Sequence, residues 1–169
     1  FRMKLRHVLS FAALALAAPL HAQSTGFSLQ KGDHVALVGN GLADRQQHFG
    51  WLEALVHKAN PDKDLVVRNL AFAGDEVEPR RRSENLGSPE DWLKKVGADV
   101  VFGFFGFNES FKGPEGLADF RRQLDGWLKK TKSADFGGAA GTRIVLFSPT
   151  AFEDTKDPNL PDGREHNER

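Results

Sequence analysis

The feature that most constrains this chain is an apolar run that ends in a glycine turn and passes directly into a helical pattern. Asp33-His34-Val35-Ala36-Leu37-Val38 leads into Gly39-Asn40-Gly41, and Leu42-Ala43-Asp44 follows. The run is short, rich in valine and leucine and bounded by turn residues, which is the signature of a buried strand. Gly39 and Gly41 permit a sharp turn, with positive φ available at either position. The first N–H groups of the following helix have no intrahelical acceptor and favour negative charge in the turn. Open α/β sheets carry their sites at such openings, at the carboxyl ends of the strands. This stretch therefore predicts both a fold class and the place of a site.

The rest of the chain repeats the motif. Leu42, Gln46, Phe49, Leu52 and Val56 recur near helical spacing and predict one helix over residues 42–59, closed by Asn60-Pro61-Asp62. Leu65 to Leu70 reads as a second strand, running into Ala71-Phe72-Ala73-Gly74-Asp75. Strand, crossover helix and strand in this order imply a parallel pair with right-handed crossover. Ser88-Pro89-Glu90-Asp91 starts a short helix, with Ser88 as N-cap, Pro89 at the first helical position and Asp91 completing a capping box. Asp99 to Phe105 is apolar on both faces, as a central parallel strand is, and empties into Gly106-Phe107-Asn108-Glu109-Ser110. A helix opens at Gly113-Pro114, and Arg143 to Phe147 is a fourth strand ending at Ser148-Pro149-Thr150. Alternating β and α elements predict a three-layer α/β/α sandwich on a parallel sheet.

Composition narrows the function classes. The 169 residues suit one domain, and 23 basic residues balance 23 acidic ones, so no charge excess points to nucleic acid. There is no cysteine, which excludes disulfides and thiolate metal sites. Lys4, Arg6 and His7, an apolar stretch from Val8 to Ala18, and Leu20-His21-Ala22 come in the order of an export signal. The apolar stretch is short for a membrane span. The reading is a signal peptide over residues 1–22 and a domain over 23–169, secreted or periplasmic, with no stable membrane span after cleavage. Residues 76–86 are polar and include Arg80-Arg81-Arg82; the run reads as a solvated loop, with a phosphate- or sugar-binding patch as the alternative.

Three predicted strand ends carry Gly39-Asn40-Gly41-Leu42, Gly74, and Gly106-Phe107-Asn108-Glu109. In order and spacing these blocks resemble the SGNH (GDSL-type) hydrolase superfamily of esterases, lipases and carbohydrate deacetylases. That family has Gly-Asp-Ser after its first strand, a glycine after its second and Gly-x-Asn-Asp after its third, with Asp-x-x-His near the C-terminus. The resemblance covers residues 31–150 and implies the flavodoxin-like sandwich, no cofactor, and hydrolysis of esters, including acyl groups on carbohydrates. It also implies an oxyanion hole made by the Gly41 N–H, the Gly74 N–H and the Asn108 side chain, each such donor contributing ~3 kcal/mol to transition-state stabilisation.

The chain departs from the family where the chemistry is done. The nucleophilic serine falls on Gly41, which has no side chain to attack with, while its neighbouring aspartate falls on Asn40 and the later one on Glu109. Asp162-Gly163-Arg164-Glu165-His166 is one residue too long for the Asp-x-x-His block, so His166 reads as a surface residue. The pattern predicts that the block lies beyond Arg169 and that the chain is C-terminally truncated. Asp44 and Glu109 are candidates for activating a water as paired carboxylates. Ser110 reads as a cap. Two functions follow: an ester hydrolase with altered chemistry, or a non-catalytic protein that binds an acyl or sugar ligand in the old oxyanion pocket. The partner in either case is a small-molecule ester or acylated carbohydrate. Gly39-x-Gly41-x-x-Asp44 also resembles a dinucleotide fingerprint, but Asp44 replaces the third glycine and would repel a pyrophosphate. The six histidines are scattered, which predicts no metal site.

Overall fold

The computed structural model describes residues 26–80, 82–138, 141–160 and 163–168. The signal-like segment, Asp162 and the side chain of His166 lie outside the described residues. The chain is a mixed α/β domain on a four-stranded, all-parallel sheet. The strands are β1 (His34–Gly39), β2 (Val66–Asn69), β3 (Val100–Phe104) and β4 (Arg143–Phe147), in spatial order β2-β1-β3-β4. This is the start of the flavodoxin-like order, in which the chain turns to the other side of β1 when it lays down β3.

Alternate residues of the central strands feed two separate cores. Val35, Leu37, Val100, Phe102 and Phe104 join one cluster, against which Leu42, Leu52 and Val56 pack. Those three come from α1 (Gly41–Phe49) and α2 (Trp51–Ala59). Ala36, Val38 and Val101 join the other cluster, with Leu93 of α3 (Pro89–Lys95) and Trp127 of α5 (Leu117–Ser133). Helices thus cover both faces of the sheet, an arrangement compatible with the expected sandwich. β3 is buried at every position, whereas β4, at the other end of the sheet order, is half-exposed along most of its length.

The single helix expected over residues 42–59 is two helices. Gly50 adopts a left-handed conformation at φ 62° and closes α1 by donating its N–H to the Gln46 carbonyl, 2.9 Å away. Its own carbonyl then accepts from Ala54 N–H in α2. A glycine C-cap stops a helix in this way, and the apolar period carries across the break because both halves present one side to the sheet. Ser88 caps α3 with the expected capping box: its hydroxyl accepts from Asp91 N–H at 3.1 Å, and Asp91 accepts from Ser88 N–H at 2.8 Å. A short helix α4 (Phe107–Ser110) follows β3, a 3-10 turn at Pro114–Gly116 precedes α5, and α6 (Arg164–Asn167) lies in the polar tail.

Candidate functional site

The carboxyl ends of β1 and β3 lie side by side where the strand order reverses, which is where sheets of this kind hold ligands. Gly39 makes that approach feasible. It has φ 121°, and a Cβ there would lie 2.1 Å from the Phe104 carbonyl oxygen, so a larger residue has no room. Asn40 follows. It is buried and donates its N–H to the Phe104 carbonyl at 3.0 Å, which ties the turn to β3. Its side-chain oxygen caps α1 by accepting from Leu42 N–H at 3.1 Å. Asn40 is therefore the brace that points the helix into the turn.

Gly41 is the first residue of α1, so its N–H has no acceptor within the helix. Its φ lies outside the left-handed region, and a Cβ there would meet nothing closer than the Ala73 Cβ at 4.0 Å. Nothing in the backbone requires glycine here. Gly74, by contrast, has φ 96°, which favours glycine, and open space beside its Cα. Asn108, on α4, donates one amide hydrogen to the Asp75 carbonyl at 3.1 Å and so tethers α4 to the chain beyond Gly74. Beside it, Glu109 is buried and accepts from Val77 N–H at 2.8 Å and from Gly106 N–H at 2.9 Å. Both of its oxygens hold backbone.

Asn40, Gly41, Gly74 and Asn108 line one cleft of about 430 Å³. No partner for the Gly41 or Gly74 N–H occurs among the described residues. Asp44 and Glu109 are not in its wall. Asp44 accepts from Gln47 Nε2 at 2.8 Å and lines a different cavity, and Glu109 borders a third. The two carboxylates do not share a site at which they could activate one water. Ser110 caps its own turn, its hydroxyl donating to the Phe107 carbonyl at 2.6 Å.

Three residues of the cleft carry side chains that the sequence analysis passed over. Arg45 comes one helical turn after Gly41, and Ser148 and Thr150 follow β4. The rule that strand ends build the site was sufficient to nominate the last two. The Phe104 and Phe147 rings, stacked at 4.2 Å, also line the cleft. Among the described residues its wall contains no carboxylate, histidine or cysteine. Its polar groups are donors and hydroxyls, suited to a carbonyl or carboxylate oxygen.

The loop from Glu76 onward is unlike the solvated run expected from its charges. The Arg82 guanidinium binds Asp75 through two bonds of 2.8 Å, with both side chains under a tenth exposed, and lies 4.4 Å over the Phe72 ring. Arg80 donates from Nη2 to Glu90 at 2.9 Å and from Nε to the Val77 carbonyl at 3.2 Å. Burial acts to raise the Glu90 carboxyl, but Arg80, its own backbone N–H and Lys130 outweigh that and hold it below the usual carboxylate range. Among the described residues no group of three or more histidine, cysteine or acidic side chains could hold a metal ion. No helix among them is long and apolar enough to cross a membrane. In comparisons with known proteins, no family model matches the chain and no curated relative matches it.

Proposed function

We propose that this chain is an exported, divergent SGNH-hydrolase-like domain. Its cleft binds the acyl or carboxylate oxygen of a small ester or acylated carbohydrate and forms no acyl-enzyme. One observation carries the reading. Gly41, Gly74 and Asn108 line the same cleft, while the position that would bear the nucleophile has room for a side chain and has none.

Family resemblance supports hydrolytic ancestry, and the cleft chemistry favours binding. A ligand oxygen would accept from the Gly41 and Gly74 N–H groups and from the second amide hydrogen of Asn108. Arg45 would neutralise a carboxylate, and the stacked phenylalanines would cover the acyl carbons. Acyl transfer needs a nucleophile with a base beside it, and neither borders the donors.

Two measurements test this. After incubation with p-nitrophenyl acetate, mass spectrometry should find no acyl adduct on the peptide containing residues 40–44. Titration with acetate, followed through the Gly41 and Gly74 amide resonances, should show binding that Asn108→Ala weakens by about 1–3 kcal/mol, the cost of a lost partner for a buried polar group. A stable adduct, or acetate binding unaltered without Asn108, would sink the proposal.

A further inference from the structure

We propose a second ligand site, separate from the cleft, which binds a neutral sugar ring in the cavity bordered by Arg80, Asp44 and Trp92. The cavity measures about 340 Å³, within the ordinary range of small-molecule pockets, about 300–1,000 Å³. It adjoins the segment 71–75 through Ala71, Phe72 and Asp75, whereas the cleft touches Ala73 and Gly74.

The central observation is Arg80. Its side chain is only 9% exposed, and its Nη1 is buried with no hydrogen-bond partner among the described residues. A buried guanidinium N–H without an acceptor is costly, and native structures rarely leave one unsatisfied. The group is also immobilised. Nε is held by the Val77 carbonyl and Nη2 by Glu90, so the planar fork fixes where Nη1 lies before any ligand arrives. An acceptor that reaches it meets a preorganised donor.

Charge decides which acceptor. Arg82 is matched by Asp75, and Arg80 is matched by Glu90. Asp44 adds a carboxylate to the same wall. The lining therefore has no surplus of positive charge, and a phosphate or sulfate would face Asp44 and Asp75 together. A hydroxyl group fits both demands, because it accepts from Arg80 and donates to Asp44. Several hydroxyls on one ring supply both contacts at once. The remaining wall suits the apolar face of such a ring. Phe72 is 52% exposed and Leu86 38%, and Trp92 is pinned by its indole N–H to the Leu86 carbonyl at 2.7 Å. An apolar lining with a few fixed polar groups is the usual make-up of a small-molecule site.

The site stands whether or not the neighbouring cleft takes an acyl group, and the test keeps the two apart. Glucose, galactose, mannose, xylose and N-acetylglucosamine would each be titrated into the whole chain, with the Trp92 indole N–H resonance as reporter. At least one should give saturable shifts at millimolar concentration. Asp44→Ala and Arg80→Lys should each weaken that binding about 10-fold or more, the loss expected for a hydrogen bond to a charged group. Asp44→Ala lies on a helix surface and guards against a folding defect in the arginine variant. Asn108→Ala, which disables the cleft, should leave sugar binding unchanged. Three outcomes overturn the proposal: no sugar moves the indole resonance at about 100 mM, sugar binding ignores both substitutions, or sulfate binds through Arg80 while the sugars do not.

Discussion

The two hollows flanking residues 71–75 are built from opposite materials. The cleft at the ends of β1 and β3 offers backbone N–H groups, one amide and hydroxyls, and its turn is set by glycines and the Asn40 cap. The cavity on the other side is walled by side-chain ions, with the Asp75–Arg82 pair nearly sealed from water and Arg80 held by Glu90. Backbone donors are fixed by the fold itself and need no desolvated partner. Buried ions are stable only as complete sets, because removing one leaves the other charged in a poor solvent. The cleft should therefore be sensitive in function and tolerant in stability, and the cavity the reverse.

The largest test of that contrast is Asp75→Ala. It leaves the Arg82 guanidinium buried without its two 2.8 Å bonds and should cost about 3–5 kcal/mol in urea unfolding. The double variant Asp75→Ala/Arg82→Ala should recover part of that loss. A single substitution costing no more than an exposed ion pair would show that the two hollows do not differ in this way.

Glu109 comes next, because it links the two regions. It fastens Val77, at the start of the arginine loop, to Gly106, at the end of β3. Glu109→Ala leaves two backbone N–H groups unpaired and should lower stability by about 2–4 kcal/mol. Glu109→Gln retains one carbonyl acceptor and should cost roughly half as much. Equal losses for both variants would mean that its charge, not its two hydrogen bonds, holds the loop.

A smaller effect appears in the pH dependence of unfolding. Glu90 sits below the ordinary carboxylate range because Arg80, its own backbone N–H and Lys130 outweigh its burial. A carboxyl with a depressed folded pKa contributes stability that is fully present above its unfolded value and is lost as pH falls through the folded one. The wild-type chain should therefore lose stability on the acid side of that window, and Glu90→Gln should flatten the slope there. Parallel slopes in the two proteins would remove Glu90 from the network.

Which parts of this were legible in the sequence follows from how local their causes are. β1 and β3 were readable because a central parallel strand is apolar on both faces, and the Ser88 cap because its partner Asp91 is three residues away. Gly50 was visible as a glycine, but the unbroken apolar period hid its left-handed cap. Asp44 and Asn40 come from the same turn, yet they serve different hollows, a distinction set by helix phase against the sheet. Arg80 and Arg82 looked solvated because their acids lie 10 and 7 residues away, across a loop that doubles back. No short-range pattern announces such a pairing.

The smallest effect concerns the two glycines on either side of Asn40, which look interchangeable in sequence. Gly39 is forced: a Cβ would enter the Phe104 carbonyl at 2.1 Å, and its φ of 121° is one that other residues rarely adopt. Gly41 is free: its φ is ordinary, and the nearest atom to a Cβ is 4.0 Å away. Replacing glycine where the backbone already suits a side chain restricts the unfolded chain, a gain of about 0.4–1 kcal/mol at best. Gly41→Ser should therefore leave the thermal midpoint nearly unchanged or slightly raised, with a hydroxyl now beside the three donors. Gly39→Ala should unfold the chain or lower its midpoint sharply. If Gly41→Ser destabilises the protein as Gly39→Ala does, the turn is packed as tightly at position 41 as at 39. The cleft would then have no room for a nucleophile, and the glycine would be a requirement of the fold instead of an absence in the chemistry.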